Sequence, residues 1–147
     1  MKTVCAVALV LLLRVNPAQA VLGQPLQSVT DDQQRLHGEL RAVSHEGYTV
    51  HEISSAGGMV VKEYVSPGGI VFGVSWQGPA MPNLQKLLGS YFPQFEQAAQ
   101  SSPHRRGPVA LHTDQLVVES GGHMRAFHGR AYVPNLVPST VSEAVVQ

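Results

Sequence analysis

Cysteine is nearly absent: the 147 residues include one, Cys5, in a stretch that export would remove. A chain without other cysteines has no disulfide, no thiolate nucleophile and no thiolate zinc site. Charge is sparse as well. Charged residues are 14% of the chain, against roughly 25% in an average soluble protein, and ten basic residues balance ten acidic ones. This excludes a disordered polyampholyte and a nucleic-acid binder acting through bulk positive charge. The one extended apolar run, Val4–Leu13, has ten residues, half of the roughly twenty a membrane span needs. No internal repeat or low-complexity tract occurs. The length allows one domain, and the composition identifies no activity.

What the N-terminus does have is an export address. Lys2 precedes the Val4–Leu13 run, Arg14, Asn16 and Pro17 break it, and Ala18-Gln19-Ala20 follows. Small residues at both recognised positions predict cleavage between Ala20 and Val21. Cys5 lacks a lipoprotein context and no twin arginine precedes the run. Residues 1–20 are therefore read as a signal peptide, leaving 127 residues and no stable membrane span. Losing Lys2 and Arg14 leaves eight basic residues against ten acidic, a formal charge of −2. The mature chain is expected to be exported, either periplasmic or secreted, and to be long enough for an unstapled core.

Its elements read as an α+β fold. Thr30-Asp31-Asp32-Gln33 forms a capping-box pattern ahead of Leu36, Leu40 and Val43, which predicts a short helix over 31–43 despite Gly38. Tyr48–Ile53, Met59–Val65 and Ile70–Trp76 read as a three-stranded meander, with turns at Ala56-Gly57-Gly58 and Ser66-Pro67-Gly68-Gly69. A two-residue Pro67-Gly68 loop sets Glu63 opposite Phe72 and Val61 opposite Val74. That register gives Met59, Val61, Val65, Ile70, Phe72, Val74 and Trp76 one apolar face, with Glu63 the exception, expected at the sheet margin. Lys62, Tyr64, Gly73 and Ser75 take the other face. Asn83 caps a helix carrying Leu84, Leu87, Leu88, Tyr91, Phe92 and Phe95, a stripe broad enough to cover the sheet. At Pro93 that helix either kinks or restarts. Leu111–Ser120 and Met124–Val133 form a C-terminal hairpin around Gly121-Gly122. The expectation is an antiparallel sheet of a three-stranded meander plus a C-terminal hairpin, packed on one main helix with a short N-terminal helix. The single domain spans 21–134, and 135–147 is read as a mobile tail.

Two stretches carry a resemblance. One runs from Lys62-Glu63-Tyr64-Val65 through Gly69-Ile70-Val71-Phe72-Gly73-Val74-Ser75-Trp76-Gln77-Gly78-Pro79 to Pro82-Asn83-Leu84 and Leu87-Leu88-Gly89-Ser90-Tyr91-Phe92. The other is Gly122-His123-Met124-Arg125-Ala126-Phe127-His128-Gly129-Arg130-Ala131-Tyr132-Val133-Pro134. The chain resembles a family of short exported bacterial proteins known as a domain of unknown function. The resemblance spans nearly the whole mature chain and implies an exported Gram-negative protein. It brings no activity, cofactor or catalytic residue. Asn83 is a local departure, since the family pattern has an acidic residue there, and either side chain caps a helix.

Seven histidines remain after processing, His37, His45, His51, His104, His112, His123 and His128, so a metal site would need histidine with carboxylate. No His-Glu-x-x-His occurs, and His123 and His128 are five residues apart, on opposite faces of a strand. His51 and Glu63 approach only if the first hairpin's register allows it. The reading is scattered, solvated histidines, with no metal site and no cofactor. No Gly-x-Ser-x-Gly is present, and Ser75 sits inside a strand. Glu52 and Glu63 on a sheet are commonly plain carboxylates, so no catalytic residue is assigned. Among the aromatics, Trp76 reads as core. Tyr64, beside Lys62 on the polar face, is a weak candidate binding surface, with a solvated sheet back as the plainer reading. His104-Arg105-Arg106 and Arg125/Arg130 are too few for nucleic acid. The functional expectation is a non-enzymatic exported domain that binds an envelope protein or small ligand. The alternative is a small envelope hydrolase or metal-dependent enzyme using histidine and carboxylates.

Overall fold

The computed structural model of the protein describes residues 21–102 and 107–147. The expected signal peptide and the His104-Arg105-Arg106 cluster lie outside the described residues.

The described residues form seven strands: β1 (Gly38–His45), β2 (Tyr48–Ser55), β3 (Val60–Val65), β4 (Val71–Gly78), β5 (Val109–His112), β6 (Val117–His123) and β7 (Ala126–Tyr132). They form one antiparallel sheet in the order β1-β2-β3-β4-β7-β6-β5. This corrects the expected three-stranded meander plus C-terminal hairpin. Two strands escaped the sequence reading, and β7 pairs along β4 from Gly73↔Tyr132 to Gly78↔Phe127, joining everything into one sheet.

The first missed strand was hidden in the predicted 31–43 helix. The real helix, α1 (Gln27–Leu36), begins earlier, so Thr30 lies inside it rather than capping it. It stops at His37, which takes a left-handed φ of 47°. Gly38 then enters β1, and all eight β1 residues pair with β2. Leu40 and Val43, spaced as a helical stripe from Leu36, instead point to opposite faces of the sheet. The second missed strand was fused into the predicted 111–120 strand. Thr113 accepts the Leu116 N–H on its side-chain oxygen at 3.0 Å and turns the chain between β5 and β6. Gly121 and Gly122 belong to β6, and the hairpin turns at Met124-Arg125, where Arg125 has φ 69°.

The β3–β4 register also differs from the expected one. Ser66 N–H donates to Ile70 O at 2.9 Å, so the loop holds three residues, Pro67, Gly68 and Gly69, with Gly69 at φ 77°. The extra residue places Val65 opposite Val71 and turns Phe72 to the other side. A bulge then follows: Tyr64 pairs with Gly73 while Phe72 is unpaired, and Glu63 pairs with Val74 and Val61 with Trp76. One bulge residue thus restores the face that the longer loop reversed.

Both faces of the sheet are covered. The first carries Ile53, Val61, Val65, Val71, Val74, Trp76, Val118 and Ala131, packed under the lead residues Val21 and Leu22, Val29 of α1, and Leu84, Leu87, Leu88 and Phe95. Those last four lie on α2 (Leu84–Leu88) and α3 (Phe92–Ser101), joined by a 3-10 turn at Gly89–Tyr91. Asn83 Oδ1 accepts the Lys86 N–H at 3.0 Å as the N-cap. Pro93 sits in the first turn of α3, where its missing N–H costs nothing, so the helix restarts there. The second face carries Tyr64, Phe72, Val117 and Tyr132, covered by Val146 and half-buried neighbours from the C-terminal segment. Residues 135–147, expected as a mobile tail, therefore lie packed on the sheet. Val146 is fully buried, and a Cβ on Gly73 would come within 2.7 Å of its methyl, so the close approach requires glycine there.

Candidate functional site

Tyr64 is 2% exposed. Its hydroxyl donates to the Gln147 main-chain oxygen at 2.6 Å and accepts the Gln147 N–H at 3.0 Å. Ser75 and Lys62 donate to the same oxygen at 3.0 and 3.4 Å. The Tyr64/Lys62 face therefore holds the C-terminal segment rather than standing open. Tyr132 fastens the segment a second time, donating to Glu143 at 2.9 Å, and Arg130 donates to Val146 O at 3.2 Å. Burial, then the bond to Glu143, raises the Tyr132 hydroxyl's pKa.

The histidines scatter. His45 stacks on Tyr48 with ring centres 4.8 Å apart. His112 lies 3.0 Å from Glu119. His123 Nδ1 lies 3.2 Å from Met124 O. His37 is at the α1 terminus, and His104 lies outside the described residues. Among the described residues, no group of three or more His, Cys, Asp or Glu is placed to hold a metal.

Two constellations remain. The first is a buried acid pair. Glu63, expected at a margin, sits in mid-sheet and is 0% exposed, with Asp32 of α1 above it at 1%. Both Glu63 oxygens lack a hydrogen-bond partner, and Asp32 has none besides Arg35. Arg35, one turn along α1, forms an ion pair with Asp32. His51 pairs directly across from Glu63, and its buried Nδ1 is also unpartnered. Burial, then the Asp32 charge, pushes Glu63 up to about 8, with Arg35 pulling back. Burial pushes Asp32 up to about 6, again opposed by Arg35, and lowers His51. Desolvation favours the neutral form of each group. The sequence held one signal for this cluster, Glu63 as the exception on an apolar face. Asp32 gave none, because a first-turn acid is ordinary.

The second is an open groove of about 690 Å³ at the β4–β7–β6 end of the second face. The register puts Gln77, His128 and Gly121 in one cross-strand row, and Arg130 and Glu119 in the next. Arg130 donates to Glu119 at 2.8 Å, and this bond is the main reason the Glu119 pKa is lowered. Pro108 and Gln147 border the groove. Behind its floor the indole of Trp76 lies on Gly129, where a Cβ would meet the ring at 2.3 Å. The sequence reading missed the groove, since it needs β7 beside β4.

Fold and site together define a small α+β domain built on one antiparallel sheet, both faces covered and one end open. The chain belongs to the family described as a protein of unknown function (DUF2844), which it matches over residues 18–146. No curated protein and no solved structure matches it. Among the described residues, no helix is long and apolar enough to cross a membrane.

Proposed function

We propose that the protein is an exported cell-envelope domain that binds a partner segment or small ligand in the β4–β7–β6 groove, without turning it over. The observation that carries this reading is the groove itself. It is the size of a ligand site, mostly apolar, with a few convergent polar groups in Gln77, Glu119, His128 and Arg130. The export half rests on the Val4–Leu13 run and Ala18-Gln19-Ala20. The enzymatic alternative draws on Asp32, His51 and Glu63, which do converge. Glu63 is fully buried among them, and the cleft that Asp32 lines is only about 40 Å³, which holds a water or two and no substrate.

Titration of the mature domain with envelope components (muropeptides, lipopolysaccharide, extended peptides) tests the reading through the emission of Trp76, the single tryptophan. One class should give a saturable change that Gly121→Leu abolishes, because a side chain there projects between Pro108 and His128. Responses unaffected by Gly121→Leu, or turnover of any component, would overturn it.

A further inference from the structure

The docking surface of α1 has an acid at its centre. Ten residues long, α1 buries Ser28, Val29 and Asp32, with Leu36 half-buried beside them. Its grip on the sheet is thus thin in apolar area, and Asp32 lies in the middle of it. Beneath lies Glu63, fully buried, with no donor on either carboxylate oxygen, while Asp32 is held by Arg35 alone. An ionised carboxylate without donors is not stable in such a place.

Charge counting shows what completes the interface. The groups facing the pair are Asp31 and Arg35 from α1, His51 from β2, and Lys86 from α2. β1 contributes no charge on this side, since its inward residues are Leu40 and Ala42. Lys86 is exposed at the mouth of the cleft. His51 is driven toward its neutral form by burial. Among the described residues Arg35 is therefore the one cation in place inside the interface. Asp32, Glu63 and the ion-paired Arg35 together carry one net negative charge when both acids are ionised, and one proton makes the three neutral; half-buried Asp31 adds to the pull toward protonation.

We propose that Asp32 and Glu63 form a proton-binding site whose single proton keeps α1 docked on the sheet, so that α1 is a latch released by deprotonation. Release turns the acids to water and uncovers Ile53 and Val61. The cleft lined by Asp32, Arg35, Val61 and Lys86 is the path by which the proton exchanges with solvent. The raised values of Glu63 and Asp32 agree with one proton being held at neutral pH. The latch is independent of the groove and of its ligand.

Hydrogen exchange of the mature protein, followed by mass spectrometry from pH 5 to 9.5 and corrected for intrinsic rates, tests this. Between about pH 6 and 8 the opening of α1 should rise about tenfold per pH unit, levelling off above about 8, because opening there releases one proton. Amides of β3, β4, β6 and β7 should stay protected. Glu63→Gln, neutral at every pH, should flatten the α1 profile above about 6, where Asp32 no longer titrates. Asp32→Asn, which serves if the first variant does not fold, should move the levelling point below 8 by removing the neighbouring charge. The proposal is overturned if α1 protection in the wild type does not change with pH, if α1 and the strands open together, or if either variant keeps the wild-type profile.

Discussion

Truncating Phe72, Tyr64 and Leu88, singly and in pairs, distinguishes the bulged register from the regular one. Phe72 is fully buried on the second face against Tyr64, with ring centres 6.2 Å apart. Leu88 is fully buried on the first face, beneath the helices. Phe72→Ala should cost about 3–5 kcal/mol and Leu88→Ala about 2–5, since both leave cavities. Tyr64→Ala should cost about as much as Phe72→Ala, because it also removes the hydroxyl that binds Gln147. The pairs are more telling. Tyr64 and Phe72 touch, so their double mutant should depart from additivity by about 0.5–1.5 kcal/mol. Phe72 and Leu88 lie across the sheet from each other, so their costs should add to within about 0.5 kcal/mol. Urea unfolding of the four-member cycles measures both. Strong coupling between Phe72 and Leu88, with none between Tyr64 and Phe72, would mean that Phe72 faces the helices and the bulge is wrong.

Stability should fall as pH rises. The folded protein holds Glu63 protonated up to about 8 while its ordinary value is 4.5, so between those limits the native state binds the extra proton. The slope is about 1.4 kcal/mol per pH unit from this group, and about 3 kcal/mol is lost by neutral pH. Urea midpoints at pH 5, 6 and 7 should decline in the wild type and less steeply in Glu63→Gln; a wild-type midpoint that rises over this range refutes the buried acid. Gly129→Ala should cost about 1–3 kcal/mol by overpacking, since its Cβ would meet the Trp76 ring at 2.3 Å. A red-shifted Trp76 emission should accompany that loss, and an unchanged spectrum and midpoint would contradict it. Intact mass of protein from the native envelope should correspond to a chain starting at Val21, and a full-length chain held in the inner membrane would contradict export.

Much of the first face was legible because local signals agreed with the tertiary outcome. Asn83 is a good cap, the Leu84-to-Phe95 stripe has helical spacing, and Pro93 can only start a turn or break one. The failures came where pairing outweighed local pattern. Leu36, Leu40 and Val43 fit a helical stripe, yet β1 gains a full ladder with β2 instead. The Pro67-Gly68 signal marked a turn correctly but could not count its residues, and one residue was enough to turn Phe72 over. Glu63 looked marginal because a carboxylate at the sheet centre is costly, and only the three-dimensional neighbourhood shows Asp32 and Arg35 above it. The C-terminal segment was illegible for a different reason. Its residues carry little regular pattern, and what orders them is distant: Tyr64, Ser75, Arg130 and Tyr132 supply the bonds. The groove depends on β7 lying beside β4, a pairing that no local periodicity encodes.

The most direct test of the binding reading is amide chemical-shift mapping of the mature domain against the envelope component that perturbs Trp76. Shifts should concentrate at Gln77, Glu119–Gly121 and His128–Arg130, with those of α1 unchanged at constant pH. Shifts confined to α1 and the Asp32–Glu63 neighbourhood, or to the outer edge of β1, would contradict it.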